Sequence, residues 1–108
     1  MRMLLKATIP VEAGNAAVSN GTLGTTIQKI LADLKPEAAY FTEDGGARTG
    51  WIFFDMQNSS DLPKVVEPWF LAFNASVTVR PAMNPQDLAA GLPGMQAAVK
   101  AYGKVAGA

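Results

Sequence analysis

Arg48-Thr49-Gly50-Trp51-Ile52-Phe53-Phe54-Asp55-Met56 decides the fold of this chain. The run is dense in aromatic and β-branched residues and short between its polar flanks, which predicts a strand. Side chains alternate along a strand, so Ile52, Phe54 and Met56 share one face while Trp51, Phe53 and Asp55 share the other. A strand with one solvated face alternates cleanly between apolar and polar residues. Here both faces are largely apolar, so the strand is expected to be central, with helices over one face and a second cover over the other.

The sequence on either side supplies its neighbours. Glu37 to Thr42 reads as a hairpin partner, because Glu43-Asp44-Gly45-Gly46 offers the positive-φ residues of a tight turn. A two-residue loop groups Tyr40 and Thr42 with Trp51 and Phe53, and Phe41 with Ile52 and Phe54; a three-residue loop reverses this. Downstream, Gln57 to Asp61 reads as a loop with Ser60 as N-cap, followed by a helical stripe of Leu62, Val65, Val66, Trp69, Phe70 and Phe73. Pro68 lies inside that helix and predicts a kink.

Farther out, Met1 to Ile9 predicts a first strand with Met3, Leu5, Ala7 and Ile9 on one face and Arg2, Leu4, Lys6 and Thr8 on the other. Pro10 ends it. Val11 to Asn20 is compatible with a short helix that breaks near Gly21, and Leu23, Ile27, Ile30, Leu31 and Leu34 mark a helix stopped by Pro36. Ala75 to Arg80 predicts a fourth strand. Asn84-Pro85-Gln86-Asp87 opens a C-terminal helix, which Gly91, Pro93 and Gly94 are expected to divide in two, with Met95, Val99 and Tyr102 docking the last piece.

This order predicts an α+β chain of ferredoxin-like βαββαβ form: a four-stranded antiparallel sheet, first and third strands central, helices on one face and extra C-terminal helices. A chain of 108 residues makes a single domain, with its core in 1–80 and a helical extension at 84–103. Cys and His are both absent, which removes thiol chemistry, His-dependent triads and the common zinc, iron and haem sites. No cofactor or metal is expected. Nine basic and nine acidic residues cancel, leaving no electrostatic footprint for nucleic acid or an anionic membrane. Lys6 and Pro10 interrupt the start before it could form a signal-peptide core, and no apolar run approaches the ~18 residues of a membrane span. These features predict a soluble cytoplasmic domain.

With Ile52, Phe54, Val77, Val79 and Phe41 facing the helices, the other sheet face carries Leu4, Lys6, Thr8, Tyr40, Trp51, Phe53, Asp55, Ser76, Thr78 and Arg80. A soluble monomer rarely leaves such an apolar patch open. A second subunit across this face is the expected cover, making a homodimer. At this point the chain resembles the dimeric α/β-barrel proteins, a wide group that includes muconolactone isomerases, antibiotic-biosynthesis monooxygenases and stress-responsive barrel proteins. The resemblance covers about residues 1 to 80 and rests on strand order. More narrowly, Lys35-Pro36-Glu37-Ala38-Ala39-Tyr40-Phe41 and Glu67-Pro68-Trp69-Phe70-Leu71-Ala72-Phe73-Asn74-Ala75 resemble a small family of uncharacterised bacterial proteins. The wider group implies a lumen between paired sheets and a cofactor-free isomerase or monooxygenase-like activity. Several of its enzymes use a His, which this chain lacks.

The polar residues of the open face form the candidate site. Antiparallel pairing of the first and third strands places Asp55 near Arg2 and Lys6 near Trp51, with Arg80 at the Asp55 end. A carboxylate flanked by cations beside aromatic rings suits a small anionic or aromatic ligand, for which Lys6, Tyr40, Trp51, Phe53, Asp55, Thr78 and Arg80 are the candidate contacts. Asp55 and Tyr40 are the candidate catalytic groups, and Glu12 and Asn15 could reach the mouth of a lumen. Against this stands a structural reading, in which the same charges only fix a dimer and the face serves for assembly. Gly50 to Met56 also loosely resembles the third-strand signature of RNA-recognition motifs. Ile52 stands where a small residue is expected, no aromatic partner comes from the first strand, and there is no basic excess, so nucleic-acid binding is disfavoured.

Overall fold

The structure, a computed structural model, describes residues 1–103. The aromatic run forms β3 (Ala47–Asp55), which pairs antiparallel with β1 (Arg2–Thr8) on one side and β2 (Ala38–Asp44) on the other. β4 (Ser76–Pro81) adds to the far side of β1, giving an antiparallel sheet in the order β2-β3-β1-β4. β1 and β3 are thus the central pair, as ferredoxin-like topology requires. The hairpin loop has two residues, Gly45 and Gly46, both at positive φ (62° and 84°), which the right-handed twist of the flanking strands favours. Asp44 therefore faces Ala47, and Tyr40 faces Trp51.

The helix layer consists of α1 (Val11–Ser19), α2 (Leu23–Leu34) and α3 (Leu62–Phe73). The alternation in β1 is complete: Met3, Leu5 and Ala7 are buried while the residues between them are only part-covered. They join Ile52, Phe54, Ile30, Val65, Trp69 and Phe73 in one core. Trp69 is the largest fully buried side chain, at 0% exposure, with its ring centroid 6.1 Å from that of Phe73. Burial of side chains of this size stabilises by about 2–3 kcal/mol each. Pro36 ends α2 as expected, with Lys35 turning into the left-handed region at φ 54°.

Three expectations need correcting. The start of α3 is not capped by Ser60: a 3-10 turn, Ser59–Asp61, precedes the helix, and the Asp61 carboxylate accepts a hydrogen bond from the Asn58 N–H at 3.2 Å. Asp61 is the longer acceptor and reaches back over the turn, leaving Ser60 within it. Second, the C-terminal segment is one continuous helix, α4 (Pro85–Tyr102), running through Gly91, Pro93 and Gly94. Glycine lowers helix propensity without forbidding the helix, and proline removes one intrahelical hydrogen bond. Third, α4 does not dock. None of its residues is buried, and Leu88, Leu92, Met95, Val99 and Tyr102 are 44% to 75% exposed. α4 is rooted by Asn84, whose side chain accepts from the Asp87 N–H at 2.7 Å, and by Arg2, which donates to Asp87 at 3.3 Å. It then projects outward, stretching the long axis of the described chain to 61 Å against 29 and 23 Å.

Candidate functional site

The sheet face opposite α1, α2 and α3 is built from rows of residues set by the strand register. At the hairpin end, Thr42, Thr49, Thr8 and Ser76 lie side by side across all four strands. The next row is Tyr40, Trp51, Lys6 and Thr78, followed by Ala38, Phe53, Leu4 and Arg80. Asp55 and Arg2 close the face at the far end. Two residues of strand separate successive rows, about 7 Å. The face therefore grades from hydroxyls, through aromatic and cationic groups, to an apolar band and then ions.

Tyr40 is 67% exposed, and Thr78 and Arg80 are exposed as well, while Trp51, Phe53, Leu4 and Lys6 are half-buried by one another. Lys6 holds its ammonium 4.9 Å from the centre of the Trp51 ring and 2.5 Å from an Asp44 carboxylate oxygen. The cation thus gains the ring quadrupole and a charge partner together. In the adjoining row Thr49 is buried and donates its hydroxyl to the Ala47 carbonyl at 3.0 Å.

The far end is arranged differently from the expected cluster. Arg2 and Asp55 are register partners, yet their side chains diverge. Arg2 pairs with Glu37 at 2.5 Å and Asp87 at 3.3 Å, and the Glu37 hydrogen bond followed by its charge raises the guanidinium further above its ordinary value. Asp55 pairs with the Met1 amine at 2.7 Å, and Gln57 donates to its second oxygen at 3.3 Å. The amine's hydrogen bond and charge hold the Asp55 carboxyl below its usual value although the side chain is 61% exposed. Arg80 has no acidic partner within 4 Å among the described residues and donates only to the Thr78 hydroxyl, at 3.5 Å.

Register thus brings Lys6, Tyr40, Trp51, Phe53, Thr78 and Arg80 onto contiguous rows, with Asp55 on the same face but turned to the chain terminus. Glu12 and Asn15 stand elsewhere. Both belong to α1, which packs with α2 and α3, and the Asn15 side chain accepts from Arg48 at 3.2 Å on the helix-covered side.

Sequence reasoning missed a second opening. Phe41 faces the helix layer as the two-residue loop requires, but it is 50% exposed because that layer stops short of the edge strand β2. Beneath it lies a largely apolar pocket of about 310 Å³ lined by Ile9, Leu23, Ile27, Phe41, Gly50 and Trp69, with Thr42, Arg48 and Thr49 contributing the polar part of its wall. The indole N–H of Trp69 is buried without a hydrogen-bond partner. Glycine at position 50, beside the predicted location of Phe41, was the available signal: a Cβ there would stand 2.9 Å from the Phe41 ring. Among the described residues no cluster of three or more acidic, His or Cys side chains is placed to hold a metal ion, and no helix is long and apolar enough to cross a membrane.

No protein-family model matches this chain, and no curated protein matches it.

Proposed function

We propose that this chain forms a homodimer of ferredoxin-like subunits, sheet face against sheet face in the manner of a dimeric α/β barrel, and that the space between the sheets binds a small aromatic anion. One observation carries the reading: Arg80 lacks an acidic partner among the described residues and lies on the row beside Tyr40, Trp51 and Lys6. A guanidinium presents a planar fork suited to a carboxylate, while the neighbouring rings accept an aromatic body. Binding is favoured over catalysis. Asp55 is held in its ionised form by the terminal amine and is therefore a poor proton donor near neutrality. Tyr40 has no hydrogen-bond partner that would pair it with a base among the described residues.

The proposal is tested by titrating the purified protein with salicylate as a probe, following heat by calorimetry and adducts by native mass spectrometry. One probe per subunit is expected, since each sheet face brings its own Arg80, and Arg80→Gln should weaken binding about tenfold or more, the scale of a lost charge-assisted hydrogen bond. Absence of binding by salicylate and by a panel of other small aromatic carboxylates would reject the ligand reading. A second reading has support in the pairing of Lys6 with Asp44 and of Arg2 with Glu37 and Asp87, since charges already satisfied within one chain suit a face that serves only for assembly. A dimer that stays intact and binds none of the panel favours it.

A further inference from the structure

The pocket beside Phe41 lies on the helix side of the sheet, behind the face assigned to the aromatic anion, and that reading makes no use of it. Its lining is graded in depth. Trp69 and Ile9, at 0% and 3% exposure, form the floor, Leu23 and Ile27 of α2 are half-buried walls, and the Phe41 ring stands exposed at the opening. A volume of about 310 Å³ falls at the small end of small-molecule sites. Two of the lining residues carry donors that lack a matching acceptor. The indole N–H of Trp69 is buried without a partner, an arrangement that costs stability until an oxygen reaches it. Arg48 is the one cation lining the pocket, and among the described residues no carboxylate lies within 4 Å of it. Glu43, its register partner on β2, instead accepts from the Gly46 N–H at 2.9 Å. The guanidinium donates to the neutral Asn15 side chain at 3.2 Å and lies against Gly14, where a Cβ would stand 2.6 Å from one of its nitrogens. Two residues of α1 thus hold a charged fork beside the pocket and leave its charge uncompensated.

We infer that this pocket binds an apolar monocarboxylate, with its chain among Ile9, Leu23, Ile27 and Phe41 and its carboxylate on Arg48. Charge sets the class. One guanidinium, with no second cation on the lining, matches a single negative charge, and a carboxylate fits the planar fork through two parallel hydrogen bonds. A phosphate monoester carries nearly two charges at neutral pH and would leave one unmatched. The apolar walls set the rest of the molecule: a hydrocarbon chain buried there leaves water, whereas a polar body would lose its hydrogen bonds. The small volume limits that chain to medium length. This site stands apart from the sheet-to-sheet reading, because it uses neither Arg80 nor a second copy.

The chain has two tryptophans, so Trp51→Phe leaves Trp69 as the sole indole and makes its fluorescence a reporter of the pocket. The full chain carrying that substitution is titrated at neutral pH with octanoate and, separately, with octanol, which has the same chain without the charge. Octanoate is expected to change the Trp69 emission saturably and to bind about tenfold or more tighter than octanol. Arg48→Gln should remove that advantage and leave octanol binding unchanged, while Arg80→Gln should leave both unchanged. Ile27→Phe, which fills the pocket with a larger side chain, should abolish binding of both probes while circular dichroism shows the fold retained. No saturable change with octanoate would overturn the inference. Equal affinity for the two probes would overturn it as well, by showing an apolar crevice that does not recognise an acid, and this comparison needs no variant at Arg48. Loss of octanoate binding in Arg80→Gln but not in Arg48→Gln would move the carboxylate to the open sheet face and overturn it while sparing the function proposed for that face.

Discussion

Asp55 and Gly50 show how single positions on β3 are set by neighbours distant in sequence. The Asp55 carboxyl titrates below its unfolded value because of the terminal amine. Such a group adds stability that is present above the unfolded pKa and lost as pH falls through the lower folded value. The stability advantage of the native chain over Asp55→Asn should therefore shrink as pH drops below about 5, and urea unfolding at a series of pH values would show it. Exposure makes the effect small and salt-sensitive; a difference independent of pH would contradict the pairing. At Gly50 the constraint is space. Gly50→Ala places a methyl 2.9 Å from the Phe41 ring. Because that ring is half exposed and can swing outward, the expected cost is about 1 kcal/mol, the low end for over-packing. Removing the ring first, with Phe41→Ala, should abolish that extra cost in a double-mutant comparison.

Among the elements, α3 and α4 both carry an internal proline and both run through it, but only α3 is packed. α3 buries Val65, Trp69 and Phe73, so its place is held by packing, and Pro68 is tolerated within it. Pro68→Ala should keep the fold and raise stability by up to about 3 kcal/mol if the restored N–H reaches the Lys64 carbonyl. A loss of stability in chemical denaturation would mean that the ring itself packs usefully. Most elements were legible because each answers to a local rule: alternation in β1, turn glycines between β2 and β3, helical spacing in α2 and α3. Others were not. Gly91, Pro93 and Gly94 read as a break because propensity describes cost and not outcome, and the exposure of Met95 and Tyr102 depends on where the chain points after Asn84. In the candidate site, strand register was readable down to the pairing of Lys6 with Trp51. The choice of side-chain partners was not: Arg2 finds Glu37 and Asp87, residues brought near by loops whose course no periodicity encodes.

At the scale of the whole molecule, the proposed dimer rests on the open sheet face. Trp51 sits in the middle of that face between Tyr40 and Lys6. Trp51→Glu puts a charge where a partner sheet would exclude water, and it should weaken a sheet-to-sheet dimer by more than about tenfold. Sedimentation across a concentration series measures this directly. An unchanged dimer would show that the contact lies elsewhere, with α4 the next surface to consider.

The projecting helix also governs how the molecule moves through solvent. The described chain has a radius of gyration of 18.2 Å, whereas a compact chain of this length has about 13 Å. A single copy would therefore drag like a larger sphere and leave a sizing column early, imitating a dimer. Elution volume alone would count the copies wrongly, and a mass measured independently of shape is needed to number them.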